Sequence, residues 1–374
     1  NANFDITYLE RHGCRFRNLA MDTMNAHHAV YPETPKGLDF LCSVYTRYPY
    51  YKDQSKVNRW KYNALDAIVT RECYDKINLE LEEFGTYKLY HNVINQVVLP
   101  YKEVADTGIL VDLEVKAKIT KELQSVLNDG VKELETVVGK PVNPNSPKQV
   151  QELLYTDLKL EKVYKKSLNA KGERPVTTDE EALKGLRKKY DHKANVTRVL
   201  DILLNLRETS KALGTYAEAK VDPDNRIRTT YAVSGTTSGR LASHIAITDT
   251  GANLQNITKG EIRDGCGFGI RSFYIPDQAG HVFIEGDLAG ADARIVAWLS
   301  QDPGLLHLFI SGQDIHAVNA SLFFGIPLEL YLKMLSDKDP LAKAMRQKAK
   351  RCGHAANYGS SARTLAKDVG ISER

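Results

Sequence analysis

The sequence predicts a mixed fold of α/β (α+β) class, and three stretches carry that prediction. Val282-Phe283-Ile284-Glu285-Gly286-Asp287 is an apolar run of strand type, and the residues after it have helical spacing, with Ala291, Ile295, Trp298 and Leu299 on one side. Residues 113–225 are rich in Lys, Glu and Leu, and Val196, Val199, Leu200, Leu203, Leu204 and Leu206 recur at the period of a helix. Arg226 to Tyr231 alternates as a strand does. A chain of 374 residues has room for about two or three domains with sizeable cores.

Composition narrows the functional classes. The net charge is only +4, so a basic surface for an anionic partner has to be local. Cys14, Cys42, Cys73, Cys266 and Cys352 are scattered without a CxxC pair or zinc spacing, which suits a reducing compartment and a cytoplasmic location. No run of about eighteen apolar residues is present, so no membrane span is expected. The opening Asn1-Ala2-Asn3-Phe4-Asp5 has no initiator Met and no signal peptide, and Val369 to Arg374 stops without a closing element. The expectation is a piece cut at both ends.

Taken in order, residues 1–85 form a first unit. Asn1-xxx-Asp5 opens it, and Tyr62 and Asp66 share one face of a helix that continues through Leu79 and Leu81. A metal-binding carboxylate beside a water-orienting phenol suits phosphodiester hydrolysis, although YxxxD by itself is usually structural. From about 86 to 112 a helix leads into Thr107-Gly108-Ile109-Leu110-Val111-Asp112, where Gly108 supplies a turn and Asp112 an N-cap. Within 113–225, Ser146 caps a helix with Pro147 at its first position, and Lys165 to Pro175 is a polar loop. The long helices read as an antiparallel pair with basic ends.

Asp287, at the end of its apolar run, reads either as a ligand for a hard cation such as Mg2+ or as the cap of the helix that follows. Gln313-Asp314-Ile315-His316 opens another helix. Leu341 to Arg351 then carries Lys343, Arg346, Lys348, Lys350 and Arg351 without an acid. Arg346, Lys350, His354 and Tyr358 are spaced by four, forming a stripe roughly 18 Å long on one helix face. Guanidinium, ammonium, imidazole and phenol in that order suit a triphosphate with its sugar and base. A solvated basic face is the simpler alternative.

Asp287-Leu-Ala-Gly-Ala-Asp-Ala-Arg294 resembles motif A of the family A (polymerase I type) DNA polymerases, and Arg346-xxx-Lys350-xxx-His354-xxx-Tyr358-Gly359 resembles their motif B. Asn1-xxx-Asp5 and Tyr62-xxx-Asp66 resemble the second and third motifs of the attached 3′–5′ proofreading exonuclease. Thr236-Thr-Ser-Gly239-Arg240-Leu-Ala-Ser243 and Asn253-Leu-Gln255-Asn256 resemble the segment that reads the primer–template minor groove.

The resemblance implies the C-terminal part of a ribonuclease H-like exonuclease domain (1–85), a connector and helical thumb (86–225), a palm portion with motif A (226–340) and the start of the fingers (341–374). It implies phosphoryl transfer from a deoxynucleoside triphosphate to a primer 3′-hydroxyl with two Mg2+ ions. Asp287 would hold metal, and Lys350 would double as general acid. Arg346, Lys350, His354, Tyr358, His316 and Asp292 would meet the nucleotide, and Arg240, Gln255, Asn253 and Arg294 the DNA. Asp5 and Asp66 would be exonuclease metal ligands, with Asn1 and Tyr62 beside them. Partners implied are primer–template DNA, the nucleotides, and a complementing C-terminal chain or a processivity factor.

Several positions depart from the family's pattern. Asp292 stands for a usual Glu, Gly290 for a Gln, His354 for a Phe or Tyr and Thr258 for a Pro, and the segment between Ser243 and Asn253 is longer than expected. His354 is the residue that suggests a phage-like or bacterial source. The first exonuclease motif, an Asp-x-Glu on an edge strand, is expected upstream of residue 1, and no His-Asp dipeptide of motif C occurs, so the chain alone is expected not to polymerise. A non-catalytic remnant that binds primer–template and nucleotide, and a single-subunit RNA polymerase, are the alternatives.

Overall fold

The computed structural model describes residues 1–165, 167–169, 171–261 and 269–369; Cys266 and the last residues, 370–374, lie outside them. Two compact units are present, Asn1–Phe283 and Ile284–Arg374.

The first unit opens with four helices, α1 (Ala2–Arg11), α2 (Thr23–Val30), α3 (Leu38–Tyr45) and α4 (Arg59–Glu83). Asn58 starts α4 by accepting a hydrogen bond from the Lys61 amide at 3.0 Å, which satisfies one of the donors left open at a helix start. Val69, Cys73, Ile77 and Leu81 are spaced by four, and all are buried against Leu41, Cys42 and Tyr90. Asp22 is buried as the cap of α2, accepting from the Met24 and Asn25 amides.

Helix α5 (Val98–Thr107) ends at Gly108, whose φ of +62° favours glycine as the sequence predicts. A short strand β1 (Ile109–Val111) follows, and then Asp112 caps α6 (Leu113–Val138) through the Val115 amide at 2.9 Å. Ser146 and Pro147 likewise start a helical turn, Pro147–Gln151. Beyond it lie α7 (Glu180–Lys189) and α8 (Ala194–Lys211). Helices α6 and α8 pack antiparallel, as the Gly130–Leu206 approach and the Glu133–Arg198 ion pair show. Val196, Val199, Leu200, Leu203 and Leu206 are buried in the core that also holds Leu134, Leu153 and Leu183. Each fully buried leucine contributes about 2 kcal/mol of transfer free energy.

The expected strand Arg226 to Tyr231 is interrupted. β2 (Arg226–Ile227) pairs with β1, whereas β3 (Thr229–Ala232) pairs with β4 (Ala242–Ile245) in a separate antiparallel ribbon. β5 (Tyr274–Ile275) completes the first sheet in the order β2-β1-β5. Arg228 marks the break: its side chain is held by Asp222 and Asp224, and its carbonyl accepts from the Ala252 amide at 3.1 Å. Gly251 makes that approach feasible, because at φ +75° a Cβ there would stand 1.9 Å from the Arg228 oxygen. The long segment between Ser243 and Asn253 thus becomes the end of β4 and a turn folded back on Arg228.

The ribbon and its turns are also tied to the N-terminal segment. Tyr8 donates to the Ile247 carbonyl at 3.4 Å, His28 Nε2 to the Thr236 carbonyl at 2.8 Å, and Lys36 to the Ser234 carbonyl.

The second unit contains α9 (Ala291–Ser300), α10 (Pro303–Ile310), α11 (Ile315–Phe324), α12 (Leu328–Ser336), α13 (Pro340–Asn357) and α14 (Ala362–Val369). Its core is small, formed by Ala317, Ala320, Tyr331, Ala342 and Ala349. Alanines let α11 and α13 approach closely, and the Tyr331 hydroxyl donates to the Ala342 carbonyl at 2.7 Å. Among the described residues no single helix is long and apolar enough to cross a membrane.

The apolar run 282–287 does not form a strand. Val282 and Ile284 are 77% and 93% exposed. A strand exists only by pairing its backbone donors and acceptors with a neighbour, and no described strand runs beside this one. The helix after it forms as expected, but Ile295, Trp298 and Leu299 are exposed while Ala293 and Ala297 are buried. The small face of α9, not its bulky one, meets the rest of its unit.

Candidate active site

Helix α13 presents the basic stripe. Asp339 caps it through the Leu341 amide at 2.7 Å, and Pro340 occupies its first position, where no N–H is needed. Ala342, Ala349 and Cys352 turn into the unit, which leaves Arg346, Lys350 and His354 on a shared face. Tyr358 is the C-cap residue at the end of that stripe and is exposed.

Arg346 does not point freely into solvent. Its Nε donates to Asp314 Oδ2 at 2.7 Å. The other oxygen of Asp314 caps α11, accepting from the His316 amide at 2.9 Å and the Ala317 amide at 3.4 Å. One carboxylate therefore fixes both the helix that carries His316 and the guanidinium across from it. The His316 ring stands 5.9 Å from that of His354, and its Nδ1 is buried without a hydrogen-bond partner. Burial lowers the His316 pKa, and the charges of Arg346 and Lys350 lower it further, so the ring is neutral at neutral pH. Chemically, this is a helix face with two cations one turn apart and two imidazole rings beside them.

In the same unit, Asp287 does not cap α9. The cap position belongs to Gly290 at φ +63°, which leaves the carboxylate exposed and disposes of the simple capping role. Asp292 lies in the first turn of α9, where negative charge complements the helix dipole. Arg294 is used locally: its Nε donates to the Ala289 carbonyl at 2.9 Å and its guanidinium covers the Phe309 ring at 4.8 Å. Among the described residues no three His, Cys, Asp or Glu side chains converge as a metal site. Asp287 can offer one carboxylate to a cation, and the described residues do not fit a two-metal centre.

The segment expected at the primer end lies in the first unit. Asn253 caps a turn over Leu254–Asn256 and accepts from the Ser243 hydroxyl at 2.5 Å, while Gln255 Nε2 donates to the Leu241 carbonyl at 3.2 Å. The Arg240 carbonyl accepts from Thr236 Oγ1 at 2.9 Å. Asn253 and Gln255 are thereby held beside the start of β4, next to the loop with Arg240 that joins β3 to β4.

At the N-terminal helices, Tyr62 and Asp66 lie one turn apart on α4 as expected. Asp5 is on α1, and partial desolvation raises its pKa, an effect the N-terminal amine opposes and the carboxylates of Asp22 and Asp66 reinforce. Asn1 precedes α1 and makes no side-chain cap. Asp66 already has partners, Lys52 Nζ and the Tyr51 hydroxyl, each at 2.7 Å.

The matching family description is DNA polymerase family A, over residues 113–374. The chain belongs to DNA polymerase family A. DNA polymerase I of Caldicellulosiruptor bescii is 29% identical over 83% of this chain and 33% of its own length. That of Synechocystis sp. is 28% identical over 100% of this chain and 36% of its own. The chain thus spans about a third of these curated relatives. Among solved structures, the POL domain of Pol1 from M. smegmatis, in complex with DNA primer-template and dNTP, matches with a TM-score of 0.69. Identity there is 27%, over 98% of this chain and 58% of that one.

Two residues of this family A chain escape a reading of the sequence alone. Asp314 is visible as a helix cap, but its partner Arg346 is 32 positions away. Lys52 is 14 positions from Asp66, and only the Tyr51-Lys52-Asp53 cluster, unusual in its polarity beside aromatics, hints at it.

Proposed function

We propose that this chain carries out the nucleotide- and primer-binding part of template-directed DNA synthesis. The observation that carries the reading is the face built from Arg346, Lys350, His316 and His354, locked by Asp314, in a chain of family A. Arg346 and Lys350 sit about 6 Å apart along the helix, close enough for both cations to reach one triphosphate. His316, neutral and half-buried beside His354, lies at the edge of that face. Tyr358, at the end of the stripe, has the exposed ring needed for stacking on a base.

Arg240, Gln255 and Asn253 face the duplex in this reading. Minor-groove acceptors are common to all Watson–Crick pairs, so contacts there sense pairing without reading sequence. The antiparallel pair α6 and α8 serves as the thumb, and residues 1–85 as an exonuclease-like unit. Asp287 is one ligand of a divalent cation, Mg2+ by its preference for carboxylate and phosphate oxygens. A single carboxylate does not complete a two-metal centre.

The test is calorimetric binding of dATP to the 374-residue chain in the presence of a primer–template with a templating thymine. Arg346→Ala and Lys350→Ala are each expected to weaken dATP binding about tenfold, the scale of one charge-assisted contact, with primer–template affinity unchanged. Equal dATP binding by the wild type and the double variant refutes the assignment.

A further inference from the structure

Lys52 lies on a short turn, Lys52–Lys56, just ahead of α4. Its ammonium donates to Asp66 Oδ1 at 2.7 Å and to the Tyr62 hydroxyl at 3.1 Å. The rings of Tyr51 and Tyr62 flank it, with centroids 5.1 and 4.9 Å away. The buried Tyr51 donates its hydroxyl to the same Asp66 oxygen at 2.7 Å. Both residues of the YxxxD pair are therefore engaged by one cation, and that cation is part of the chain.

A carboxylate ligates a divalent ion by offering it an oxygen lone pair. Here Oδ1 already accepts two hydrogen bonds, one from a positive charge, and an ion at Oδ2 would stand beside that same charge. An incoming ion has to expel the ammonium or share its space, and like charges at contact distance repel strongly. The ammonium has little reason to leave, since moving away forfeits two aromatic faces and the Tyr62 hydrogen bond along with the ion pair.

We propose that Lys52 takes the place of a divalent cation at Asp66: it neutralises the carboxylate and orients the Tyr62 hydroxyl, so that Asp66 is not a metal ligand in this chain. Lys52 is then a positioning residue. The proposal rests on reading residues 1–85 as exonuclease-like, and it departs from the pattern in which Asp66 would bind metal.

The experiment counts Mn2+ bound to the 374-residue chain by electron paramagnetic resonance, in an Asp287→Asn background so that only the N-terminal site is read. Lys52→Met is expected to gain Mn2+ binding by about tenfold in affinity, and Asp66→Asn added to it to abolish the gain. Lys52→Arg keeps the charge and is expected to behave as the wild type. Mn2+ binding that depends on Asp66 and is equally tight with and without Lys52 overturns the proposal while leaving the exonuclease-like reading intact. No Asp66-dependent binding in any variant overturns both. Should Lys52→Met not fold, the side-chain nitrogen signal of Lys52 in the wild type decides. A signal that stays sharp as Mn2+ is added supports the proposal, and broadening at the first equivalent overturns it.

Discussion

Replacing Asp314 separates two jobs that one side chain performs. Its Oδ1 caps α11 through the His316 and Ala317 amides, while its Oδ2 holds Arg346. Loss of an N-cap to alanine costs about 1 kcal/mol. The ion pair is 32% and 38% exposed on its two sides, so screening and hydration limit its share to under about 1 kcal/mol. Asp314→Ala is therefore expected to destabilise the second unit by about 1–2 kcal/mol. Asp314→Asn, which caps about as well as Asp, loses only the ion-pair share, about 0.5 kcal/mol.

Nucleotide binding moves the other way in Asp314→Asn. Taking the carboxylate to stand about 7 Å from a phosphate in a water-like dielectric, its removal relieves about 0.6 kcal/mol of repulsion, or about threefold in affinity for dATP. Hydrogen exchange at the His316 and Ala317 amides reads the cap, and calorimetry with dATP reads the charge. If the Asn variant exposes those amides as much as the Ala variant does, the cap is not the operative contact. If it weakens dATP binding, Asp314 serves chiefly to orient Arg346, and the electrostatic argument fails.

Three further outcomes are expected. Asp314 also gives a pH dependence: partial desolvation pushes its pKa up, but Arg346 and the two capping amides outweigh this and leave it below the ordinary carboxylate value. Its stabilisation is therefore complete above about pH 4 and is lost as pH falls through the lower folded value, which an acid titration followed at α11 amides will show as a transition absent from Asp314→Asn. Leu203→Ala, at a fully buried position in the core beneath α8, is expected to cost about 2–5 kcal/mol in urea unfolding of the first unit. Gly251→Ala adds a Cβ 1.9 Å from the Arg228 carbonyl at a left-handed φ, and a loss of about 1–3 kcal/mol with faster amide exchange in β3 and β4 is expected; unchanged melting would show that the turn relaxes without cost.

Local physics was the legible part of this chain. Caps at Asp112 and Ser146, the glycine turn at Gly108 and the buried stripe of α8 all depend on residues within a few positions of one another, and all formed as the pattern requires. The stripe Arg346, Lys350 and His354 was readable for the same reason. What the pattern could not supply was partnership. An apolar run at 282–287 has strand composition, yet strand formation depends on a neighbour that composition does not specify. Arg228 broke a clean alternation because the distant Ala252 amide claimed its carbonyl, while nearby Asp222 and Asp224 held its side chain. The Asp314–Arg346 and Lys52–Asp66 pairs were hidden likewise, each joining residues on different elements.

The ties between the N-terminal segment and the β3–β4 ribbon with its turns are asymmetric in chemistry. Tyr8, His28 and Lys36 contribute side chains, whereas Ile247, Thr236 and Ser234 contribute only their carbonyls. Every residue type has a carbonyl, so substitution at those three ribbon positions leaves the acceptors in place as long as the backbone path is kept. Mutational tolerance is therefore unevenly shared across the junction. At this junction the three carbonyl positions tolerate a change of side chain, while Tyr8, His28 and Lys36 do not.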